Sequence, residues 1–584
     1  MKRLLVYLKD YKKECVLAPL FKMLEASFEL FVPLVIASII DTGIAGNEKG
    51  LLFRDFGLLI VLGLIGLSAA VTAQYFSAKA AVGFATKLRH HLFKHLMGLS
   101  FTEIDQVGTS TMITRMTSDV NQTQTGVNMF LRLFLRSPFV VFGAMVMAFT
   151  IDVKCALYFV LAIVGLSIVV FAIMAFNIPM MKDVQKKLDV VLLHTRENLA
   201  GVRVIRAFCR EEDEIADFVK RNEELTSRQK RSGSLSGLMN PLTYVMINVA
   251  IVLLIHCGAL KVSMGSLTQG EVIALYNYMS QILVELVKLA NLIVTLNKAL
   301  ASANRISEVF EMESSMEDGT ASFVAETAPA AKAADAEDYI VFRHVGLTYA
   351  GSSEESLTDI DFAVKKGQTV GVIGGTGCGK TSLVHLLTRF YDATSGEVRI
   401  ADKNIKEYQL EELQKQISIV LQKAVLFKRS IRDNLKWRKE DATDEELMMA
   451  VKAAQAEDVV EKKGGLGAMV EQNGRNLSGG QRQRLSIARS LVGNPNVLIL
   501  DDSSSALDYA TDAALRRSVK ELPGQPTVFI VSQRTSSIQH ADLILVLDDG
   551  KLVGKGTHET LLDNCEVYRE IYESQYKKQG ADAV

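Results

Sequence analysis

Six apolar runs, each long enough or nearly long enough to cross a bilayer, fill the first half of this sequence and decide most of what it can fold into. They lie at 15–40, 56–77, 130–151, 155–181, 241–260 and 272–296. A helix needs roughly 20 apolar residues to span the hydrocarbon. The run at 155–181 holds no charged residue. Others are interrupted: Lys22, Glu25 and Glu29 in the first, Arg132 and Arg136 at the start of the third, Glu285 and Lys288 in the last. A charge inside a span costs about 2.5–3.5 kcal/mol on insertion scales. Such groups are expected to face a bundle interior or a water-filled cavity. Glu25 and Glu29 have the further option of pairing with Lys22 near an interface. The aromatics Phe28, Phe31, Tyr75, Phe139, Phe142, Tyr244, Tyr276 and Tyr278 are candidates to line a cavity for amphipathic compounds, or to face lipid and neighbouring helices.

Charge sets the expected orientation. Residues 1–13 carry Lys2, Arg3, Lys9, Lys12 and Lys13, and the long connections around 79–115 and 182–231 are rich in Lys and Arg. The connections at 41–55, 152–154 and 261–271 are short and mixed. The positive-inside rule then puts both termini and both long connections in the cytoplasm. No cleavable signal peptide is expected ahead of the first run. The long connections keep helical periodicity and read as extensions of the spans. Breaks at 108–122 and 199–210 could each hold a short cross-helix. The six cysteines show no CxxC spacing and read as free thiols. A net charge of -1 gives no bulk electrostatic argument for nucleic acid, and none is expected as a partner.

Near residue 311 the character changes. The stretch ETAPAAKAADAED marks 311–338 as a linker, so the expected division is 1–310, linker, and 339–584. The last part alternates strand-like runs (YIVFRHV, QTVGVIG, SIVLQ, NVLILDD, TVFIVSQ, LILVLDD) with helical ones, as an α/β domain with a largely parallel sheet does. Within it, GGTGCGKTS at 374–382 follows a strand and opens a helix. It fits GxxxxGKT, so Gly374, Gly375, Thr376, Gly377, Cys378, Gly379, Lys380, Thr381 and Ser382 are expected to cradle the phosphates of ATP with backbone N–H groups. Lys380 can reach the outer phosphates, and the Thr381 hydroxyl can ligate Mg2+. The run VLILDD should deliver Asp501 to the same place as a magnesium ligand. In LSGGQ, Ser478 reads as an N-cap with Gln481 as its capping-box partner. Gly479 and Gly480 leave a second helix end open to phosphate.

LSGGQRQR between a phosphate loop and an aspartate strand closely resembles the ATP-binding cassette family, and six spans ahead of it resemble an exporter-type half-transporter. The resemblance covers essentially the whole chain. It implies an all-α six-helix transmembrane domain fused to an α/β P-loop NTPase domain, in the plasma membrane of a prokaryotic cell. It implies that Tyr349 stacks on adenine, that Gln422 reaches magnesium and faces the membrane domain, and that Ser505–Asp508 contacts a second subunit. The LSGGQ of each subunit would complete its partner's ATP site, and the cross-helices would dock on the cassette.

Two positions depart from the family pattern. The catalytic glutamate expected after the magnesium aspartate is Asp502, and the histidine expected after the next strand is Gln533. Gln472 stands where a glutamate often precedes the signature. Asp502 is shorter by one methylene, and misplacement by about 1 Å can cost about 10²-fold. Gln533 can donate a hydrogen bond but carries no charge. The resemblance then implies a heterodimer of half-transporters, in which this chain holds ATP but turns it over poorly. A homodimer tolerating both residues is the alternative. Export of amphipathic small molecules is the leading expectation. Import or lipid flipping on the same architecture, and a nucleotide-gated or channel-like membrane protein, are the rivals.

Overall fold

A computed structural model describes residues 4–46, 48–323 and 338–581. The chain divides into a helical unit, Met1–His95 with Ser110–Glu311, and a second unit, Leu96–Thr109 with Met312–Val584. Each apolar run sits inside one long helix. These are Leu4–Ile44, Lys49–Met97, Thr109–Ile151, Val153–Ala200, Glu211–Ser263 and Gln269–Glu311, all long and apolar enough to cross a membrane. With no water in the hydrocarbon to satisfy backbone groups, helices of this length are one of the few arrangements able to cross it. The helices outrun the apolar segments by several turns, so the long connections continue the helices.

Their shared core uses small side chains to bring helices close. Ala144, Ala148, Ala156 and Ala274 are fully buried beside Phe159, Leu254 and Tyr278. Tyr278 donates its hydroxyl to the Leu30 carbonyl at 2.6 Å. The aromatics singled out in the sequence scatter. Phe139 packs on the core, whereas Phe31, Tyr75, Phe142, Tyr244 and Tyr276 are exposed. Lys22 pairs with Glu25, while Glu29 pairs with Arg136 instead.

The first short helix lies at Phe101–Val107, ahead of the stretch 108–122 in which the sequence placed it. The reason is local. Ser100 and Glu103 form a reciprocal capping box that starts a new helix, and Gly108, at φ 78°, ends it. Residues 109–122 instead begin the next long helix, with a π-helical turn at Arg115–Asp119. Phe101 packs on Phe390 with ring centroids 4.7 Å apart, and Asp105 accepts a hydrogen bond from the Tyr391 hydroxyl at 2.5 Å. The second short helix is Val202–Ala207, with Val204 and the following Phe208 exposed.

Among the described residues of the second unit, ten strands form two sheets. One is antiparallel, in the order β2-β1-β4-β5: β1 (Ile340–Leu347), β2 (Leu357–Val364), β4 (Ser395–Ile400) and β5 (Lys403–Asn404). The other runs β10-β9-β3-β8-β7-β6, with β3 (Thr369–Gly374), β6 (Ile417–Val420), β7 (Val497–Asp501), β8 (Thr527–Val531) and β9 (Leu543–Asp548) parallel, and β10 (Lys551–Gly556) antiparallel at the edge. Strands β3, β7 and β8 are buried along their whole length. Successive side chains of a strand point to opposite faces, so a strand covered on both sides must be apolar throughout. Leu498 and Leu500 accordingly join one core, and Val497 and Ile499 the other. Of the expected linker, residues 324–337 lie outside the described residues. Ahead of them, Ala321 donates its N–H to the Glu407 carbonyl.

Candidate nucleotide site

The carboxyl ends of parallel strands leave a crevice where loops diverge, which is where α/β sheets bind ligands. Here β3, β8 and β7 are neighbours, so the loop after β3 and the end of β7 come together although more than a hundred residues separate them. A cleft of about 420 Å³ opens at this place. Thr376, Gly377, Gly379, Lys380, Thr381 and Ser382 line it, and so do Gln422, Asp501, Asp502 and Gln533.

The loop's shape depends on two glycines. Gly377 and Gly379 stand at φ 86° and 93°, in the left-handed region that side chains avoid. A Cβ on Gly379 would also come within 2.7 Å of Leu357 Cδ2 and 2.8 Å of the Ser356 carbonyl. Beyond Gly379 the helix Lys380–Leu387 begins, so its free N–H groups and positive dipole end face the cleft. Lys380 Nζ donates to the Gly374 and Gly375 carbonyls at 2.9 and 2.6 Å, which holds the ammonium at the loop's mouth.

Around Asp501 the chemistry suits a hard cation. Its carboxylate is buried at the end of β7, and Thr381 Oγ1 donates to Asp501 Oδ2 at 3.2 Å. Burial pushes the Asp501 carboxyl above its ordinary range and the Asp502 charge adds to this; the Thr381 bond and Lys380 oppose it. An oxygen-only set of Thr381, Asp501 and the Gln422 amide fits Mg2+, which is usually held by one or two carboxylates with phosphate oxygens and water completing its shell. Gln422 Nε2 donates to Asp502 Oδ2 at 3.3 Å, so the cleft's two departing elements, the end of β6 and the end of β7, are tied across it. Asp502 itself sits at φ 45°, a conformation that a short polar side chain tolerates better than a longer one.

Not every expected residue lines the cleft. Cys378 is buried and faces the core below the loop. Tyr349 is half-buried; its hydroxyl donates to Ser382 Oγ at 2.9 Å and its ring meets Tyr391 edge-on. Ser478, Gly479, Gly480 and Gln481 lie elsewhere, at the start of the helix Gly479–Leu491. There Ser478 Oγ accepts from the Gln481 N–H at 3.3 Å, and Gln481 Oε1 accepts from the Ser478 N–H at 2.9 Å. That reciprocal cap uses the side chains and leaves two glycines without bulk at the helix end. Ser505 Oγ donates to the Asp502 carbonyl, and Asp508 caps the next helix by accepting from the Thr511 N–H.

Sequence reasoning missed three contributors. Ser356 and its neighbours, and the turn Asp549–Gly550 between β9 and β10, also line the cleft. The Asp-Gly pair marks a turn in the sequence, but only the neighbouring of β9 and β3 brings it to the phosphate loop. From the helix Glu566–Ala581, Gln575 donates to the Gln533 carbonyl at 2.7 Å and accepts from the Thr535 N–H and hydroxyl at 2.9 Å. It fixes the backbone on which Gln533 stands.

Comparison with known proteins places both parts of the chain in known families. Residues 15–286 match the ABC transporter transmembrane region, and residues 357–505 match the ABC transporter domain. The chain is 33% identical over its whole length to the whole of the Bacillus subtilis protein named "Uncharacterized ABC transporter ATP-binding protein YfiB". It is 32% identical, over 98% of its length and 97% of the relative, to the B. subtilis "Probable multidrug resistance ABC transporter ATP-binding/permease protein YheI". It is 27% identical, over 98% and 97%, to an "ATP-dependent lipid A-core flippase" of Yersinia pestis. Among solved structures it resembles a bacterial Atm1-family ABC exporter with ATP bound, at a TM-score of 0.79 and 23% identity over 97% of this chain and 98% of that one.

Proposed function

This chain belongs to the ABC transporter family, with a membrane-spanning and an ATP-hydrolysing domain in one polypeptide, and on that premise we propose that it is the ATP-holding half of a heterodimeric exporter of amphipathic small molecules. The observation that carries the reading is the pair Asp502 and Gln533 lining one cleft with an intact phosphate loop. Lys380, Thr381 and the helix N-terminus have what nucleotide binding requires. Thr381, Asp501 and Gln422 would hold Mg2+, which supplies charge neutralisation at the phosphates. Tyr349 would turn its ring to the adenine.

Hydrolysis needs more than binding. A base must sit within hydrogen-bond reach of the attacking water, and a donor must meet charge as it develops. Asp502 falls short in reach and already accepts from Gln422, and Gln533 offers a neutral amide. Losing general-base help alone is worth roughly 10²–10⁴ in rate. The Ser478–Gln481 helix end, in contrast, is built as the family signature requires. It would complete the site of a partner subunit that carries the glutamate and the histidine. ATP then closes the paired cassettes, the short helices pass closure to the spans, and the partner's site resets the cycle.

Relatives named for multidrug resistance and for lipid A-core flipping support an amphipathic cargo. The test is to purify the chain alone and together with a candidate partner half-transporter, and to measure phosphate release and ATP-driven uptake of amphiphiles into inverted vesicles. Weak turnover alone and strong turnover in the pair support the reading. Robust turnover by this chain alone refutes the heterodimer and leaves a homodimeric exporter. Downhill flux that survives without hydrolysis would favour a channel-like protein.

A further inference from the structure

Four charged side chains from three long helices meet in one recess of the helical unit. Arg136 Nη2 donates to Glu29 Oε2 at 2.7 Å and Arg136 Nη1 to Glu285 Oε1 at 2.5 Å. Lys288 Nζ donates to Glu285 Oε1 at 2.8 Å, and Ser137 Oγ to Glu285 Oε2 at 2.9 Å. Arg136 and Glu285 form the closed centre: their side chains are 7% and 4% exposed, and both oxygens of Glu285 are taken. Glu29 and Lys288 are the open ends, each with a single ion-pair contact among the described residues and 43% and 45% of the side chain exposed.

The recess holds about 420 Å³. Its polar wall includes Asn277 and Ser280, and its apolar wall includes Val32, Ile36, Val140 and Val284. Two buried polar atoms of residues that line it, Arg136 Nε and Gln281 Oε1, have no hydrogen-bond partner among the described residues. A cluster whose only role was to pin helices together would be expected to satisfy such atoms, because leaving them unpaired is costly.

Charge balance narrows the occupant. Glu29 and Glu285 contribute two negative charges and Arg136 and Lys288 two positive ones, so the recess sums to zero. A ligand with net charge would leave one charge uncompensated among apolar spans, where that is expensive. A dipolar ligand brings a cation to Glu29 and an anion to Lys288, keeps the sum at zero, and lays its hydrocarbon on the valine and isoleucine wall. We propose that this recess is the headgroup site for a net-neutral, dipolar amphiphile, with its ammonium on Glu29 and its acidic group on Lys288. This rests on the reading of the chain as an exporter of amphiphiles and names the class of headgroup it selects. A zwitterionic membrane phospholipid and a free amphoteric compound share that chemistry.

The test uses the full chain with its partner in nanodiscs and three probes of equal tail: dodecylphosphoethanolamine, dodecylammonium and dodecyl phosphate. Unaltered protein should bind the first at least about tenfold more tightly than either of the others, the scale of one charge-assisted hydrogen bond. Glu29→Gln should weaken the dipolar probe about tenfold and turn the preference toward dodecyl phosphate; Lys288→Gln should turn it toward dodecylammonium. Equal affinity of the unaltered protein for all three probes overturns the proposal without recourse to any variant, as does a variant that weakens all three alike. Zwitterionic phospholipid that copurifies with unaltered protein but not with Glu29→Gln would mark the lipid as the source. Retention of the soluble probe alone would mark the free amphiphile. ATP-driven uptake into vesicles separates the two readings. Uptake without headgroup preference sinks this proposal alone, and absence of uptake of any amphiphile sinks the exporter reading.

Discussion

If the proposed division of labour holds, lengthening Asp502 and recharging Gln533 should raise this chain's own ATP hydrolysis. Both residues line the cleft with Lys380 and Thr381, so the change is confined to the chemistry. Asp502→Glu adds one methylene of reach, roughly the 1 Å displacement that can cost about 10²-fold, or about 2.7 kcal/mol at 1.36 kcal/mol per tenfold. Gln533→His adds a donor that can carry charge, for which a single stabilising donor offers about 10²–10³. The two act on one water and one phosphate, so their effects will not multiply. The expected gain for the double variant is about 10²–10⁴ in turnover. One cost runs the other way. Residue 502 stands at φ 45°, where a glutamate incurs strain of order 1 kcal/mol that aspartate largely avoids. That lowers stability without entering the chemical step. The assay is phosphate release at saturating Mg-ATP by purified protein in nanodiscs. If the unaltered chain already turned over ATP within a few-fold of the double variant, the argument from reach and charge would fail.

Two further outcomes follow from the same unit. Gly379→Ala should weaken ATP binding at least about tenfold in a fluorescent-nucleotide titration, because its Cβ would meet Leu357 and the Ser356 carbonyl at an unfavourable φ; retained affinity would contradict the loop geometry. Glu103→Gln should cost about 0.5–2 kcal/mol and speed amide exchange across Phe101–Val107. Glu103 accepts from the Ser100 and Ser315 N–H groups, at 3.1 and 3.2 Å, and burial, which alone would raise its pKa, is outweighed by bonds from Ser100 and Ser315, which hold it below the ordinary range. A depressed carboxyl stabilises fully above its unfolded pKa of about 4.3 and loses that contribution as pH falls through the lower folded value. The two proteins should therefore converge in stability toward acid, and a constant gap would contradict this role.

Much of this was legible in the sequence because it is local. The strand, turn and helix around 374–382 are neighbours in the chain, and a long apolar run leaves few alternatives to a spanning helix. Whatever depended on packing was hidden. Arg136 and Glu285 are separated by 149 positions, so their charges could be flagged as needing shelter but not paired with each other. Asp549–Gly550 reaches the cleft only because β9 neighbours β3. The bond from the Tyr349 hydroxyl to Ser382 joins positions 33 apart in the chain and could not be read from either segment alone. The placement of the first short helix was a different failure. Ser100 and Glu103 spell a capping box, a signal present in the sequence and overlooked in favour of the glycine that ends the helix.

The central claim is a division of labour between two subunits, and one substitution tests it. Asp502→Asn in the assembled heterodimer removes the carboxylate that stands in this cleft where the family pattern has its catalytic glutamate, yet turnover should stay within about threefold of the unaltered pair. A loss of 10²-fold or more, the scale of a general base doing its work, would show that ATP is hydrolysed here and would contradict the account.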